Sequence, residues 1–376
     1  MIFLIDDYLL KRTEELSFIH LKNDAQLNIR NYKLPHDGLD MPIMIEELAE
    51  SIKKKEVNEV ITIGSIIRGI IYLLGIDSKF KHKKEYIEFL YKANPKIEEY
   101  ILFQGLQALE VNNLIKGIIY FKCLLLINPK NTNALINYGT TVLQYRDKEL
   151  ITMKKTYTKF TKEARDKLEE LLLIKKDEPL AYYYLGFIYK DSKQFIKAKL
   201  HWEKAIEHGI EEKYKEHLQA LLIEVEDMVQ YEKGYEAVLA GRPQEGLPLL
   251  EELKKRYEEW WNLLFFIGLA HRQLGAFHVA LQYFKRVLEL KENQVDSIVE
   301  LGLCYGALGE IEKSIEEFHR ALALEEKNSE VLCNLAMMYF EIGDKTKAEK
   351  YINLSFDINP HDEITIACKK KITGLK

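Results

Sequence analysis

The sequence contains few prolines and cysteines and lacks long apolar runs. With only 8 prolines in 376 residues, the composition favours long helices over a loop-rich fold. The 4 cysteines show no paired spacing, so we expect no disulfide framework and a reducing, cytoplasmic location. No run approaches the ~18 apolar residues of a membrane span, and Asp6 and Asp7 stand where a signal peptide would be basic. We therefore expect no membrane segment.

Strong charge of one sign and the motifs of common enzymes are also missing. A formal net charge of -5 is mild, so the overall field does not favour nucleic-acid binding. The glycines form neither GxxxxGK[ST] nor GxGxxG after a strand, and HExxH is absent. His201, His208 and His217 lie near glutamates, but their spacing suits solvated helix faces better than a metal site, and His271 suits core packing. We expect no enzyme activity, no metal and no cofactor.

A spacing of 34 residues recurs between Trp261 and Pro360. In each unit a small residue is followed twelve residues later by another, in the pairs Gly268 with Ala280, Gly302 with Ser314 and Ala336 with Ala348. Apolar residues fall at helical spacing on both sides of a glycine between the two, which predicts a pair of helices. Small residues let the two backbones approach closely, and large residues four positions later fill the space beside them. Such pairs bury their apolar stripes by stacking, which predicts a solenoid.

These units resemble the tetratricopeptide repeat. The unit from Val295 matches that family at Leu301, Gly302, Tyr305, Ser314, Phe318 and Ala321, and the unit from Ser329 matches it at Leu335, Ala336, Tyr339, Ala348 and Pro360. The small pairs continue toward the N-terminus as Gly105 with Gly117, Gly139 with Ala164, Gly186 with Ala198 and Gly234 with Gly246. The resemblance implies an all-α fold, a right-handed α-α superhelix of about seven helix-pair repeats over residues 98–361.

The N-terminal region follows a different pattern. Residues 1–40 predict two short strands, the first containing Phe18 and the second running from Leu27 to Tyr32, around an Asn-Asp turn. We expect Pro42 to open a helix over Ile43–Lys55.

The regions that flank the array are predicted to be helical. Residues 41–97 contain a faint repeat that is interpreted better as a capping helix pair than as a full repeat. Residues 362–376 predict a capping helix at the other end, with apolar residues among lysines.

Two insertions interrupt the array. Near residues 144–161, 13 extra residues predict that both helices of one pair are longer and end in a basic tip. Near residues 210–226, 14 extra residues predict one long helix from Glu211 to Leu239. Pro248 falls in the second turn of a predicted helix, where we expect a late start or a kink.

The resemblance also implies a concave groove lined by the fifth and ninth residues of each unit. The candidate groove residues are Leu102, Leu106, Ile136, Thr140, Tyr183, Phe187, Tyr231, Tyr235, Phe265, Leu269, Val299, Leu303, Cys333 and Met337. Because this set is apolar and aromatic and lacks the lysine and asparagine clamp of relatives that bind a carboxylate, we expect a peptide or helix of a protein partner. The predicted function is therefore a non-catalytic protein-interaction scaffold.

Three alternatives remain at this point. The groove residues are equally well explained as covered internally, by residues 1–40, by tight closure or by a second copy of the chain, and a homo-oligomer stays open. A peptide-sensing regulator whose superhelix changes pitch is the second alternative. The third is a nucleic-acid-associated or enzyme-associated N-terminal module, suggested by the lysines of residues 79–84 and by the basic tip, although solvated helix ends explain both better.

Overall fold

The computed structural model describes residues 2–25, 27, 29, 32–53 and 62–374, and it divides into two compact units, Met1–Ala220 and Leu221–Lys376. Both units consist mainly of consecutive antiparallel helix pairs. In the described ranges no helix is both long and apolar enough to cross a membrane. All four cysteines are free thiols.

The first unit begins with a short helix and a strand pair and continues with helices. Its first elements are α1 (Asp6–Leu9), a 3-10 helix (Leu10–Glu15), β1 (Leu16–Leu21), β2 (Leu39–Met44), α2 (Ile45–Lys53), α3 (Ile63–Ile76) and α4 (Lys83–Ala93). Three helix pairs follow: α5 (Ile97–Glu110) with α6 (Leu114–Ile127), α7 (Thr132–Glu149) with α8 (Lys154–Ile174), and α9 (Pro179–Asp191) with α10 (Phe195–Glu207). The next helix is α11 (Glu212–Glu224), whose residues up to Ala220 belong to this unit.

The second unit contains four helix pairs and a terminal helix. The pairs are α12 (Glu226–Leu239) with α13 (Pro243–Lys254), α14 (Trp261–Gln273) with α15 (Phe277–Leu290), α16 (Val295–Ala307) with α17 (Ile311–Leu324), and α18 (Ser329–Glu341) with α19 (Lys345–Ile358). The terminal helix α20 (Glu363–Thr373) packs on α18 and α19. Its N-cap, Asp362, accepts a hydrogen bond from the Thr365 N–H, and Gly374 ends it in the left-handed region.

The small residues lie where the two helices of a pair approach most closely, as the repeat predicts. The first glycine of each pair faces the large side chain that follows the second small residue by four positions: Gly105 faces Phe121, Gly139 faces Leu168, Gly186 faces Trp202, Gly234 faces Leu250, Gly268 faces Phe284 and Gly302 faces Phe318. A Cβ added to Gly302 would lie only 2.7 Å from Phe318 Cε1. The spacing of 12 and 4 residues, lengthened to 25 and 4 at Gly139, Ala164 and Leu168, therefore reflects one interlocking contact that recurs in both units.

The strand pair exists, but the strand that pairs with β1 lies later in the chain than the predicted Leu27–Tyr32, part of which lies outside the described residues. Strand β1 pairs antiparallel with Leu39–Met44, with Phe18 opposite Pro42. The side chains of Leu39, Met41 and Ile43 on one face of β2 are buried, and Pro42 on the other face is buried as well. Both strands of a two-stranded sheet are edge strands, where proline is tolerated, so Pro42 lies within β2 and does not open a helix.

Two helix predictions also need correction. The single helix expected over Glu211–Leu239 is divided at Val225, which lies between α11 and α12. Pro248 lies inside α13, which begins at Pro243, so the late start is wrong. The pair α7 and α8 has 18 and 21 residues where the neighbouring pairs have 13 or 14, so both helices are longer around the first insertion.

Helix α3 packs closely on β2 and α6. A Cβ added to Gly69 would lie 1.9 Å from the carbonyl oxygen of Pro42, and one added to Gly75 would lie 2.3 Å from that of Ile119. These contacts join α3 to the strand pair and to the first repeat. That α3 and α4 form a cap and not a further repeat stays a prediction.

The first residues of the chain are held by buried charges. Asp6 forms an ion pair with Lys122, which is fully buried, and accepts a hydrogen bond from Ser78. The Glu163 carboxylate accepts hydrogen bonds from the Leu4 N–H at 2.6 Å and from the Tyr138 hydroxyl at 2.8 Å.

Aromatic rings complete the N-terminal anchor. Phe3 lies edge-on to Tyr138, and Tyr8 packs against Tyr145 and Phe160. In the described part of residues 2–10, the hydrogen bonds, ion pairs and ring contacts lead to residues outside the predicted groove set. The N-terminal segment is thus an integral part of the first core.

Glu163 gives this anchor a pH dependence. Burial raises the pKa of Glu163 above its ordinary value, so the folded state takes up a proton at higher pH than the unfolded state. Its contribution to the free energy of unfolding is fully present below the unfolded pKa and is lost as pH rises through the folded pKa. The free energy of unfolding in urea is compared between the wild type and Glu163→Gln. We expect the wild-type value minus the variant value to fall as the pH is raised from 4 to 8, by at most about 1.4 kcal/mol per pH unit. Glu149→Gln, at an exposed carboxylate, is the control. A difference between wild type and Glu163→Gln that does not change with pH would contradict the raised pKa of Glu163.

Candidate functional site

The first helices of successive pairs lie side by side in the second unit. Helix α12 contacts α14, α14 contacts α16, and α16 contacts α18. They carry the candidate groove residues Tyr231, Tyr235, Phe265, Leu269, Val299, Leu303, Cys333 and Met337. Leu269, Val299 and Cys333 are buried, whereas the other five are half-buried. The predicted positions therefore form one row, but three of them contribute mainly to the core.

Aromatic neighbours partly cover the α12 end of this row. The ring centroid of Tyr231 lies 4.3 Å from that of Trp260, and Tyr235 stacks on Phe266 at 5.2 Å. Burial raises the pKa of the Tyr235 hydroxyl above its ordinary value. Sequence reasoning missed Trp260 and Phe266, although the aromatic run from 260 to 266 was a usable signal.

Charged groups beside the row are mainly acidic. Arg272 on α14 pairs with Glu300 on α16, and burial raises the pKa of Glu300 even with the guanidinium beside it. Asp296 and Glu330 occupy the first turns of α16 and α18, and both are exposed. Of these four groups, Arg272 and Glu300 pair with each other, and the two exposed ones, Asp296 and Glu330, are both acidic.

The candidate residues of the first unit fall into two groups. On α5 and α7, Leu102 and Ile136 are half-buried and Leu106 is 39% exposed. Phe103, which the prediction missed, is 56% exposed next to them. The second group is Tyr183 and Phe187 on α9, which lie beneath side chains of α11.

Family models identify the repeats directly. The tetratricopeptide repeat matches residues 231–295, 295–328 and 329–362. Residues 231–362 of the chain are therefore tetratricopeptide repeats. The pairs α5 with α6, α7 with α8, and α9 with α10 lie outside the matched residues but repeat the same contact between a small and a large side chain. Tetratricopeptide repeats are generally non-catalytic protein-interaction repeats.

Solved tetratricopeptide structures are distant from this chain. YrrB, described as a TPR protein with an unusual peptide-binding site, is 18% identical, with 66% of this chain and 97% of that chain covered and a TM-score of 0.28. The APC/C hetero-tetramer Cut9-Hcn1 is 13% identical, with 87% of this chain and 70% of that chain covered and a TM-score of 0.42. The P58(IPK) TPR domain is 14% identical, with 74% of this chain and 98% of that chain covered and a TM-score of 0.31. At such TM-scores none of the three indicates a function for this protein. No curated protein matches the chain.

A cleft of about 900 Å³ lies elsewhere, on the second helices α13 and α15 of this chain. Its apolar lining residues include Pro248, Leu264 and Val279. The hydroxyl of Tyr283 donates to the Glu251 carboxylate at 2.7 Å and accepts from Lys254. Acidic and basic side chains occur together around this cleft, so it has no clear preference for one ligand charge.

The histidines considered in the sequence pack against aromatic rings. His271 stacks on Tyr283 with a centroid distance of 5.6 Å. His201 lies between Tyr182 and Tyr189, and its Nδ1 is 2.8 Å from the Lys197 carbonyl oxygen. Within the described ranges, no group of three or more His, Cys, Asp or Glu side chains could hold a metal ion.

Proposed function

We propose that this protein is a non-catalytic scaffold that binds an apolar peptide or helix of a partner protein along α12, α14, α16 and α18. The observation that carries the proposal is the row of half-buried apolar side chains on consecutive first helices, with Tyr235, Phe265, Leu303 and Met337 partly open to solvent. Partly exposed aromatic and long aliphatic side chains on rigid helices make good anchors, because little conformational entropy is lost when they are covered.

The charge beside the row favours a partner segment with cationic flanks. Asp296 and Glu330 are exposed in the first turns of α16 and α18, while Arg272 is engaged by Glu300. Like charges across an interface disfavour association, and complementary charges increase the association rate. An apolar segment flanked by lysine or arginine therefore fits this surface better than an acidic segment.

Peptides selected on the immobilised full chain test the proposal. We expect random 15-residue peptides displayed on phage to be enriched for apolar residues with basic flanks. Tyr235→Ala combined with Leu303→Ala is expected to weaken their binding at least tenfold, about 1.4 kcal/mol, in fluorescence anisotropy without changing helicity. Val279→Ala, a 38% exposed apolar residue on α15, is the matched control. Equal affinity for wild type and both variants would contradict the proposed surface.

A further inference from the structure

Helix α11 lies outside the repeat plan and rests on the predicted groove residues of α9. The chain reaches it after α10 through Gly209, whose φ of 75° is in the left-handed region. The ring of Tyr214 lies 4.9 Å from that of Tyr183, and His217 stacks on Phe187 at 5.9 Å with an interplanar angle of 29°. Tyr214 and His217, three residues apart on α11, thus cover Tyr183 and Phe187, four residues apart on α9.

The surface under α11 is rigid. Phe187 packs edge-on against Trp202 at 5.2 Å, and the indole N–H of Trp202 donates to the Tyr183 carbonyl at 3.2 Å. Tyr183 and Phe187 contact each other at 5.0 Å. Trp202 is fully buried and packs on the Phe187 ring, which in turn packs on the Tyr183 ring, so the two α9 rings have partners within α9 and α10 as well as on α11.

The covering helix is held by few side chains. In α11, Leu218 and Leu221 are buried and Tyr214, Lys215 and Leu222 are half-buried, whereas the other eight residues are exposed. Large rings separate α11 from α9, unlike the close backbone packing at Gly186. Elements with few buried contacts open at a lower free energy than the core.

We infer that α11 is a tethered lid that occupies the groove of the first unit, and that a partner helix with two aromatic side chains three residues apart displaces it. The inference rests on the proposed function, because it takes Tyr183 and Phe187 as groove residues. A tethered segment competes at a high effective concentration, and a site that is open for only a small fraction of the time binds with an affinity reduced by that fraction. The sequence of α11 itself specifies the kind of helix that fits.

A labelled copy of the lid provides the probe. A fluorescein-labelled peptide of residues 211–224 is titrated with the full-length wild type and with Tyr214→Ala/His217→Ala, and hydrogen exchange of α11 is followed in both. We expect the variant to bind the peptide at least tenfold more tightly and to lose exchange protection in α11 while α9 and α10 keep theirs. Glu216→Ala/Gln219→Ala, at two exposed positions of the same helix, is expected to behave as wild type.

Two further measurements separate the lid from the proposed function. Adding Tyr183→Ala to the opened variant is expected to abolish peptide binding, and the single variant His217→Ala, which truncates an exposed ring, is expected to give a smaller gain in the same direction. Unchanged protection of α11, or a loosened α11 without tighter peptide binding, would overturn the lid. Neither result affects the peptides selected on α12 to α18, whose sensitivity to Tyr235 and Leu303 tests the proposed function independently.

Discussion

Replacing Asp6 with alanine is expected to lower the free energy of unfolding of the first unit by about 3–5 kcal/mol. The change leaves the ammonium of Lys122, a fully buried side chain, without its carboxylate and with the Gly75 carbonyl, 2.7 Å away, as a neutral partner. Burial already lowers the pKa of Lys122, and Asp6 is the main group opposing that shift. Ser78 loses its acceptor as well. Removing one member of a buried pair is costly because the remaining charge keeps its desolvation penalty.

The neighbouring aspartate is the natural control. Asp7 pairs with Lys159 at 3.2 Å, but its side chain is 86% exposed, so Asp7→Ala should change stability by less than about 1 kcal/mol. Because the chain has two units, hydrogen exchange of α6 is a better measure than one unfolding midpoint. Combining Asp6→Ala with Lys122→Met should recover part of the loss. Equal effects of Asp6→Ala and Asp7→Ala would contradict the buried pair.

The helix pairs could be predicted from the sequence because their closest contacts require small residues at a fixed spacing. Gly186 is followed by Ala198 and Trp202 in the same rhythm as Gly302, Ser314 and Phe318, and both triplets make the same contact. The spacing of these residues along the chain is therefore sufficient to predict the helix pair. The family matches for residues 231–362 and the structure of the remaining pairs agree on this point.

Other features depend on tertiary contacts that leave little local signal. Strand β2 contains Pro42. From the sequence alone this proline favours the start of a helix, and only the pairing with Phe18 of β1 shows that it lies in a strand. The break at Val225 has neither glycine nor proline beside it, so local propensity gives no reason for two helices. The cover over Tyr183 comes from Tyr214, on a helix that the repeat pattern does not contain. The positions expected to line a groove came from the family resemblance and stay a prediction, and the exposure of their side chains depends on these neighbours.

Replacing Trp202 with alanine is expected to lower the stability of the first unit by about 3–5 kcal/mol, because it empties a fully buried site between α9 and α10. The effect of Gly186→Ala on stability is expected to change sign when Trp202 is removed. With Trp202 present, a Cβ on Gly186 would lie 2.1 Å from its Nε1 and 2.3 Å from its Cδ1, so Gly186→Ala should destabilise by about 1–3 kcal/mol.

Once the indole is removed, the added methyl group enters the vacated space and the helix gains the propensity of alanine over glycine. Gly186→Ala should therefore stabilise the Trp202→Ala protein by up to about 1 kcal/mol. Gly64→Ala in α3, where the nearest atom to an added Cβ is Arg68 Nη1 at an ordinary contact distance of 3.4 Å, tests the propensity gain without the clash. The four proteins of the cycle are compared by urea unfolding and by hydrogen exchange of α9. If Gly186→Ala changes stability in the same direction with and without Trp202, Gly186 and Trp202 do not make the contact that defines the repeat.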